Sequence, residues 1–453
     1  MTILPSSYRD ADGFVFEAEG KVFRFIRPSY FDDYRCLMDS GLYAELTAAG
    51  RLISHEEIKD YPGLPSGEGI VLLPEQIPFI SYPYEWSFDM WRDAALVTLK
   101  TVTASLQKEM ILKDATPFNI QFYKGRPVFI DTLSFEKYEA GKPWVAYRQF
   151  CECFLGPLLL MHYGHRDMGK LFMAYPAGIP LEIIKELLPR RSKFNLQVYL
   201  HIWLQAKMFS SAKIKKDTVG FFPKEKLELL LKGLTGLVSG LRPKKTGSEW
   251  EHYYSETISG GAYLETKKQI FNELVSTISF RSVIDLGAND GLFSLLLKEK
   301  ADWLVAVDAD SNCINELYGV IRKEKIKNMV PLVSSLDAPS PGIGWANAER
   351  PALTGRLKAD LVLALALVHH LAIAANIPLE MIAAGLKDMG GYLIIEFVPK
   401  TDEKVIQLLK DREDIFEQYH EEGFRSAFGK FFRVLKEEPI AGTGRKLFLM
   451  QRN

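Results

Sequence analysis

One run constrains this chain more than any other: Ser282-Val-Ile-Asp-Leu-Gly-Ala-Asn-Asp-Gly-Leu-Phe-Ser294. Val283, Ile284 and Leu286 are apolar and partly β-branched, which predicts a buried strand. Gly287 and Gly291 follow, and from Leu292 to Lys298 the spacing becomes helical. A strand, a glycine turn and a helix open a nucleotide-binding α/β unit.

The glycine spacing separates two kinds of nucleotide. A dinucleotide turn needs three glycines, spaced G-x-G-x-x-G, to seat a pyrophosphate on the helix N-terminus. Here Asp285 closes the strand, and Gly287 and Gly291 bracket Asn289 in a wider turn. An acid at that place repels phosphate and suits a cationic amino group. S-adenosylmethionine has that group and no phosphate. Trp303-Leu-Val-Ala-Val-Asp308 reads as a second strand ending in an acid, 21 residues after Gly287. At that distance a carboxylate meets both ribose hydroxyls. An ordinary βαβ turn explains the glycines but not an acid at both strand ends.

These residues resemble motif I and its acidic follower in class I S-adenosylmethionine-dependent methyltransferases. The resemblance spans residues 248–453. It implies a Rossmann-like seven-stranded sheet, S-adenosylmethionine as cofactor and no metal. It also implies cofactor contacts from Asp285, Gly287, Asn289, Gly291, Asp308 and the adjoining Ala309. A third strand, Met329 to Val333, leads to Ser334-Ser-Leu-Asp337. The family meets the adenine amino group there, which makes Asp337 the candidate acceptor and Leu336 the residue stacking on the ring. The turn at Pro339 and Pro341 would equally use Asp337 as an Asx-turn residue.

Asp360 to Val368 is a continuous apolar run, as a central parallel strand requires. His369 and His370 follow it, where open α/β sheets place their ligands. The Asn/Asp-Pro-Pro-aromatic motif of many amino-group methyltransferases is absent. Both histidines are therefore candidate catalytic bases that take a proton from an attacking hydroxyl; capping of strand and helix is the competing reading. Tyr392 to Val398 is a fifth strand, with Glu396 and Lys400 at either side of its end as candidates to shape the substrate side, and two strands around Gly442 close the sheet as a hairpin. The family commonly lays a helix over the cofactor. Residues 262–277 supply it, with Tyr253, Tyr254 or Tyr263 as pocket-closing or packing aromatics.

The first half of the chain reads as an α+β domain over residues 1–241. A hairpin spans 14–27 around Gly20, and a helix runs from Tyr30 to Ala49. Strands follow at Gly69–Leu73 and Pro78–Tyr82, then a long amphipathic helix from Met90 to Lys108. Further on, Asp114, Asn119 and Asp131 are spread over a loop and a hairpin turned at Lys124-Gly125. Their spacing resembles the catalytic segment of the protein-kinase-like fold, especially the aminoglycoside and choline kinases. Leu112 stands where that family has His, Thr132-Leu-Ser134 replaces Phe-Gly, and neither a glycine-rich loop nor a Val-Ala-x-Lys strand is visible. The resemblance implies a degenerate kinase-like domain with a substrate-recognition or accessory role. Residues 242–247 form the linker to the domain at 248–453. The whole chain is similar to two-domain methyltransferases associated with rhizobial nodulation.

Composition narrows the partners. A length of 453 residues fits two or three domains at about 150 residues each. A net charge of −1 gives no global attraction to nucleic acid or to an anionic membrane. Four cysteines without metal or redox spacing, a first segment without a leader pattern, and no apolar run long enough to span a bilayer together predict a cytoplasmic protein. The expected reaction is methyl transfer to an oxygen of a small molecule or glycan. Two alternatives stay open: a tRNA or protein methyltransferase with the first domain as substrate reader, and a non-catalytic cofactor-binding protein. Near-zero charge weighs against RNA, and the complete set of acids and glycines weighs against the last.

Overall fold

The computed structural model describes residues 1–59, 61–62, 68–210, 221–244 and 260–453. Most of the polar segment 60–68, the linker from Lys245 and both Tyr253 and Tyr254 lie outside the described residues. Two compact units emerge: Met1–Lys245 with Gly342–Pro351, and Thr246–Pro341 with Ala352–Asn453. No composition shift marks residues 342–351 as belonging with the first unit, and the expected continuous range 248–453 takes no account of them.

In the first unit, β1 (Thr2–Ile3), β2 (Gly13–Ala18), β3 (Lys21–Ile26), β4 (His55–Ile58) and β5 (Ile70–Pro74) form an antiparallel sheet in the order β1-β2-β3-β5-β4. Glu19 and Gly20 join β2 to β3 with φ of 52° and 70°, the left-handed pair that matches strand twist in a two-residue hairpin. The helix expected over Tyr30–Ala49 is instead two, Phe31–Asp39 and Leu42–Ala48, broken where Gly41 takes φ 77°. Tyr30, Tyr34 and Leu37 bury its inner face. Pro78–Tyr82 is not a strand. Its backbone at Ser81 bonds to a buried amide instead: Ser81 N donates to Gln121 Oε1 at 2.9 Å, and Gln121 Nε2 donates to Ser81 O at 3.0 Å. The acidic strand β4 gave no apolar alternation to read.

The buried helix Phe88–Gln107 leads to β6 (Met110–Leu112), the hairpin β7 (Ile120–Tyr123) and β8 (Arg126–Phe129), and β9 (Phe135–Lys137), which pairs with β6. Helical segments from Tyr147 onward, ending in Lys224–Gly240, complete the unit.

The second unit is built on β10 (Ser282–Leu286), β11 (Trp303–Asp308), β12 (Met329–Val333), β13 (Ala359–Ala364), β14 (Gly390–Phe397), β15 (Phe432–Pro439) and β16 (Lys446–Arg452). Their order is β12-β11-β10-β13-β14-β16-β15, with the first five parallel and β16 antiparallel to both neighbours. That is the seven-stranded plan of the class I methyltransferase fold. The two-face burial of the central strands explains their continuous apolar sequence. β13 is shorter than its apolar run predicts: Leu365 and Ala366 turn, Ala366 at φ 51°, and Val368 already enters a helix. The helix Glu421–Gly429 has no counterpart in the sequence reading. Among the described residues, no helix is long and apolar enough to cross a membrane.

Candidate functional site

The ends of β10 and β11 are locked together by the glycine turn. Gly287, Asn289 and Gly291 all adopt left-handed φ, at 72°, 52° and 79°. Gly287 N and Ala288 N donate to Val307 O at 2.9 and 3.0 Å. Asn289 N donates to Asp308 Oδ2 at 2.8 Å, and Asp310 N donates to Asp308 Oδ1 at 2.8 Å. The Asp308 carboxylate is thereby fixed in orientation, while each oxygen keeps a lone pair for a hydroxyl donor. Burial pushes its carboxyl above the usual range, and the backbone donors of Asp310 and Asn289 oppose that. Ala309, beside it, is exposed.

Asp285 lies deeper, 2% exposed, and accepts a bond from Ser294 Oγ at 2.6 Å. Burial pushes its carboxyl up to about 6. The two glycines answer to different neighbours. A Cβ on Gly287 would lie 3.3 Å from Leu367 Cδ1, a tight but adjustable contact, whereas one on Gly291 would lie 2.5 Å from Leu317 Cδ1. Gly291 therefore serves helix packing as well as turn conformation.

At the third strand, Ser334 N donates to Asp308 O at 2.8 Å, which holds the tip of β12 against β11. Leu336 is half-buried; Asp337 is exposed and accepts from the Ser335 hydroxyl. That bond is turn chemistry and occupies one carboxylate oxygen.

His369 and His370 stand on the first turn of the helical segment after β13 rather than at the strand tip. Their rings lie 4.1 Å apart between centroids. His369 is 0% exposed, and neither ring nitrogen has a hydrogen-bond partner among the described residues. His370 is partly exposed. Burial, then Arg445 and Lys404, pushes His370 down to about 4; burial, then the neighbouring His370, pushes His369 well below the usual imidazole range. Both imidazoles are neutral at physiological pH.

A buried charged network escaped the sequence reading. Lys267 Nζ and Glu396 Oε2 are 2.6 Å apart with both side chains 0% exposed. Tyr263 OH donates to Glu396 Oε1 at 3.0 Å, and Arg445 Nη1 donates to the same oxygen at 3.3 Å and to Tyr263 OH at 2.9 Å. Asp402 accepts two further bonds from Arg445, at 2.7 and 2.9 Å. Burial would raise the Glu396 carboxyl, but Lys267 and Arg445 hold it below the usual range. Tyr263, open in the sequence to a pocket-closing or a packing role, and Glu396, a candidate for the substrate side, both point into this network. Lys400 pairs with Asp414 at 2.7 Å. A lysine four residues after Tyr263 and an acid inside an apolar strand were the available signals; only their pairing across 129 residues makes them meaningful.

In the first unit, Asp114, Asn119 and Asp131 converge. Asn119 Nδ2 donates to Asp114 Oδ2 at 3.2 Å and to Ser134 Oγ at 3.1 Å, and Ser134 Oγ donates in turn to Asp131. Arg24, on β3, pairs with Asp131 at 2.6 Å, and Gln149 Nε2 donates to Asp114 Oδ1 at 2.6 Å. A cavity of about 150 Å³ adjoins, with Val15, Val22, Arg24, Leu72, Ile130 and Thr132 in its wall. Arg24 was legible only as a polar residue in an alternating strand. Among the described residues, no group of three His, Cys, Asp or Glu side chains is placed to hold a metal.

No protein-family model matches the chain. Over 459 residues it is 34% identical to the nodulation protein NoeA of Rhizobium meliloti (strain 1021), an alignment that takes in 99% of this chain and 95% of that protein. The chain belongs to the NoeA family. Among solved structures, this NoeA relative is similar over 43% of its length to the N-methyltransferase NodS of Bradyrhizobium japonicum WM9, covering 99% of NodS at 9% identity and a TM-score of 0.32. The magnesium protoporphyrin IX methyltransferase ChlM of Synechocystis PCC 6803, with bound S-adenosylmethionine, matches 42% of the chain and 80% of its own at 15% identity and TM-score 0.30. The bifunctional kinase-methyltransferase WbdD matches 42% of this chain and 39% of its own, at 19% identity and TM-score 0.30.

Proposed function

We propose that this chain transfers the methyl group of S-adenosylmethionine to an oxygen of a small molecule or glycan. The observation that carries the reading is the Asn289–Asp308 hydrogen bond of 2.8 Å, which joins the glycine turn to the second strand's acid. It presents a fixed carboxylate to a ribose diol, with no third glycine to cradle a pyrophosphate. Asp285 would hold the cofactor's amino group, and Gly287 and Ala309 would line its path. Leu336 and Asp337 are proposed at the adenine.

The methyl rides on a sulfonium and needs no metal. The protein's task is to align acceptor oxygen, methyl carbon and sulfur in line. His370, neutral at pH 7, would accept the acceptor's hydroxyl proton as the new bond forms. His369 would support that ring from within.

The first unit is proposed as a reduced kinase-like fold that selects the acceptor. The strand order β1-β2-β3-β5-β4 and the chain of bonds from Asp114 through Asn119 and Ser134 to Asp131 support the fold. Loss of phosphoryl transfer is supported by Arg24, whose charge already neutralises Asp131, where a kinase would hold magnesium.

Calorimetry tests the cofactor assignment. Asp308→Ala should weaken S-adenosylmethionine binding by roughly 1.5–3 kcal/mol, the worth of hydrogen bonds to a charged group. Unchanged affinity in a folded variant would remove Asp308 from the site.

A further inference from the structure

The helical stretch after Pro189 turns apolar side chains outward as well as inward. Val198, Ile202 and Ala206 are fully buried on its inner side. Phe194, Leu196, Tyr199 and Leu200 stand outward at 93%, 66%, 40% and 37% exposure. Arg190, Arg191 and Lys193 are exposed beside them. The Lys193 ammonium lies 4.3 Å from the Trp203 ring centre, and Trp203 Nε1 donates to Ser192 Oγ at 3.0 Å. These contacts fasten the turn that carries Phe194 onto the helix, so the outward ring belongs to a built surface. No Asp or Glu occurs from Leu187 to Ser210.

We propose that this face docks the protein on an anionic phospholipid bilayer, with Phe194, Leu196 and Leu200 entering the headgroup boundary and the three cations meeting lipid phosphates. Exposed apolar side chains grouped with polar residues mark an interaction surface. An aromatic and leucines beside Lys and Arg, with no acid among them, are the chemistry of interfacial binding. Two other occupants fit less well. A second copy meeting this face across a twofold axis would bring two sets of three cations together, with no acid in the segment Leu187 to Ser210 of either copy to offset them. Single-stranded RNA would want aromatic planes for its bases, whereas leucines make up half of the outward apolar set here. The chain's net charge of −1 hides the surface because it averages over both units. The expectation of no membrane partner rested on that average and on the lack of a spanning segment.

Co-sedimentation of the full chain with vesicles tests the proposal. The protein should sediment with vesicles of phosphatidylcholine mixed with phosphatidylglycerol and stay in solution with phosphatidylcholine alone. Added salt should release it. Phe194→Asp combined with Leu196→Asp should lower the bound fraction on the order of tenfold or more, and Arg190→Gln together with Arg191→Gln should lower it in the same direction. All these positions are exposed, so melting temperature and S-adenosylmethionine affinity should not move. Wild-type protein that ignores anionic vesicles would overturn the proposal. So would variants that sediment like wild type, or variants whose only defect is a lost dimer in light scattering or lost RNA retention.

Discussion

Removing Glu396 while leaving Lys267 in place is the most informative stability experiment. Both side chains are 0% exposed and 2.6 Å apart, so Glu396→Leu strands a buried ammonium. It also takes the acceptor from Tyr263 OH at 3.0 Å. Breaking a buried pair in this way costs about 3–5 kcal/mol, a large part of the ~5–15 kcal/mol that holds a domain folded. Adding Lys267→Met removes the stranded charge. Arg445 keeps Asp402 at 2.7 Å, so the double variant should recover all but about 1 kcal/mol, the worth of the lost hydroxyl bond. Two units need not unfold in one step, so a single melting curve is a poor readout. Hydrogen exchange along Gly390–Phe397, followed by mass spectrometry, reports the opening free energy of the second unit itself. A loss under about 1 kcal/mol for Glu396→Leu would show that the pair is not the buried lock described here. Additive losses in the double variant would refute the coupling.

Three further outcomes follow from the sites. His370→Ala should lower turnover by about 10²–10⁴-fold with cofactor affinity nearly intact, and a turnover equal to wild type would place the base elsewhere. Acid should destabilise the first unit, where burial pushes His55 and His201 down to about 4; His370 in the second unit is pushed down to about 4 likewise. Above about pH 6.5 these groups are neutral folded or unfolded. Below it only the unfolded chain takes up protons, so stability falls between about pH 6.5 and 4, by up to about 1.4 kcal/mol per pH unit for each histidine. In the second unit Asp285, raised to about 6, offsets His370, so the test is the first unit's own melting transition, and one that stays flat over the window would contradict the burial of His55 and His201. ATP with magnesium should leave the melting temperature unchanged, because Arg24 already neutralises Asp131. A magnesium-dependent stabilisation abolished by Asp131→Ala would make the first unit a working kinase.

The sequence carried the frame of the second unit's sheet because most of its strands obey a local rule. Trp303–Asp308 and Met329–Val333 begin and end where their apolar runs do. The run through Val368 misled because Leu365 and Ala366 are apolar yet form a turn, at φ 51° for Ala366, which no composition rule foretells. Gly291 was legible as a turn residue, but its second duty depends on Leu317, from the next helix. The convergence of Asp114, Asn119 and Asp131 was legible as spacing, while Arg24, which pairs with Asp131, comes from a strand 107 residues before it. The Lys267–Glu396 pair was invisible for the same reason: each residue alone looks like a misplaced charge, and tertiary structure makes them a unit.

Transfer of labelled methyl from S-adenosylmethionine to fractionated cell extract tests the central claim most directly. The account predicts label in a small-molecule or glycan fraction, released by neither protease nor ribonuclease, with transfer lost in Asp308→Ala and slowed in His370→Ala. Cofactor binding with no label in any fraction would contradict it, and label confined to tRNA or protein would replace its acceptor with one of the two macromolecules.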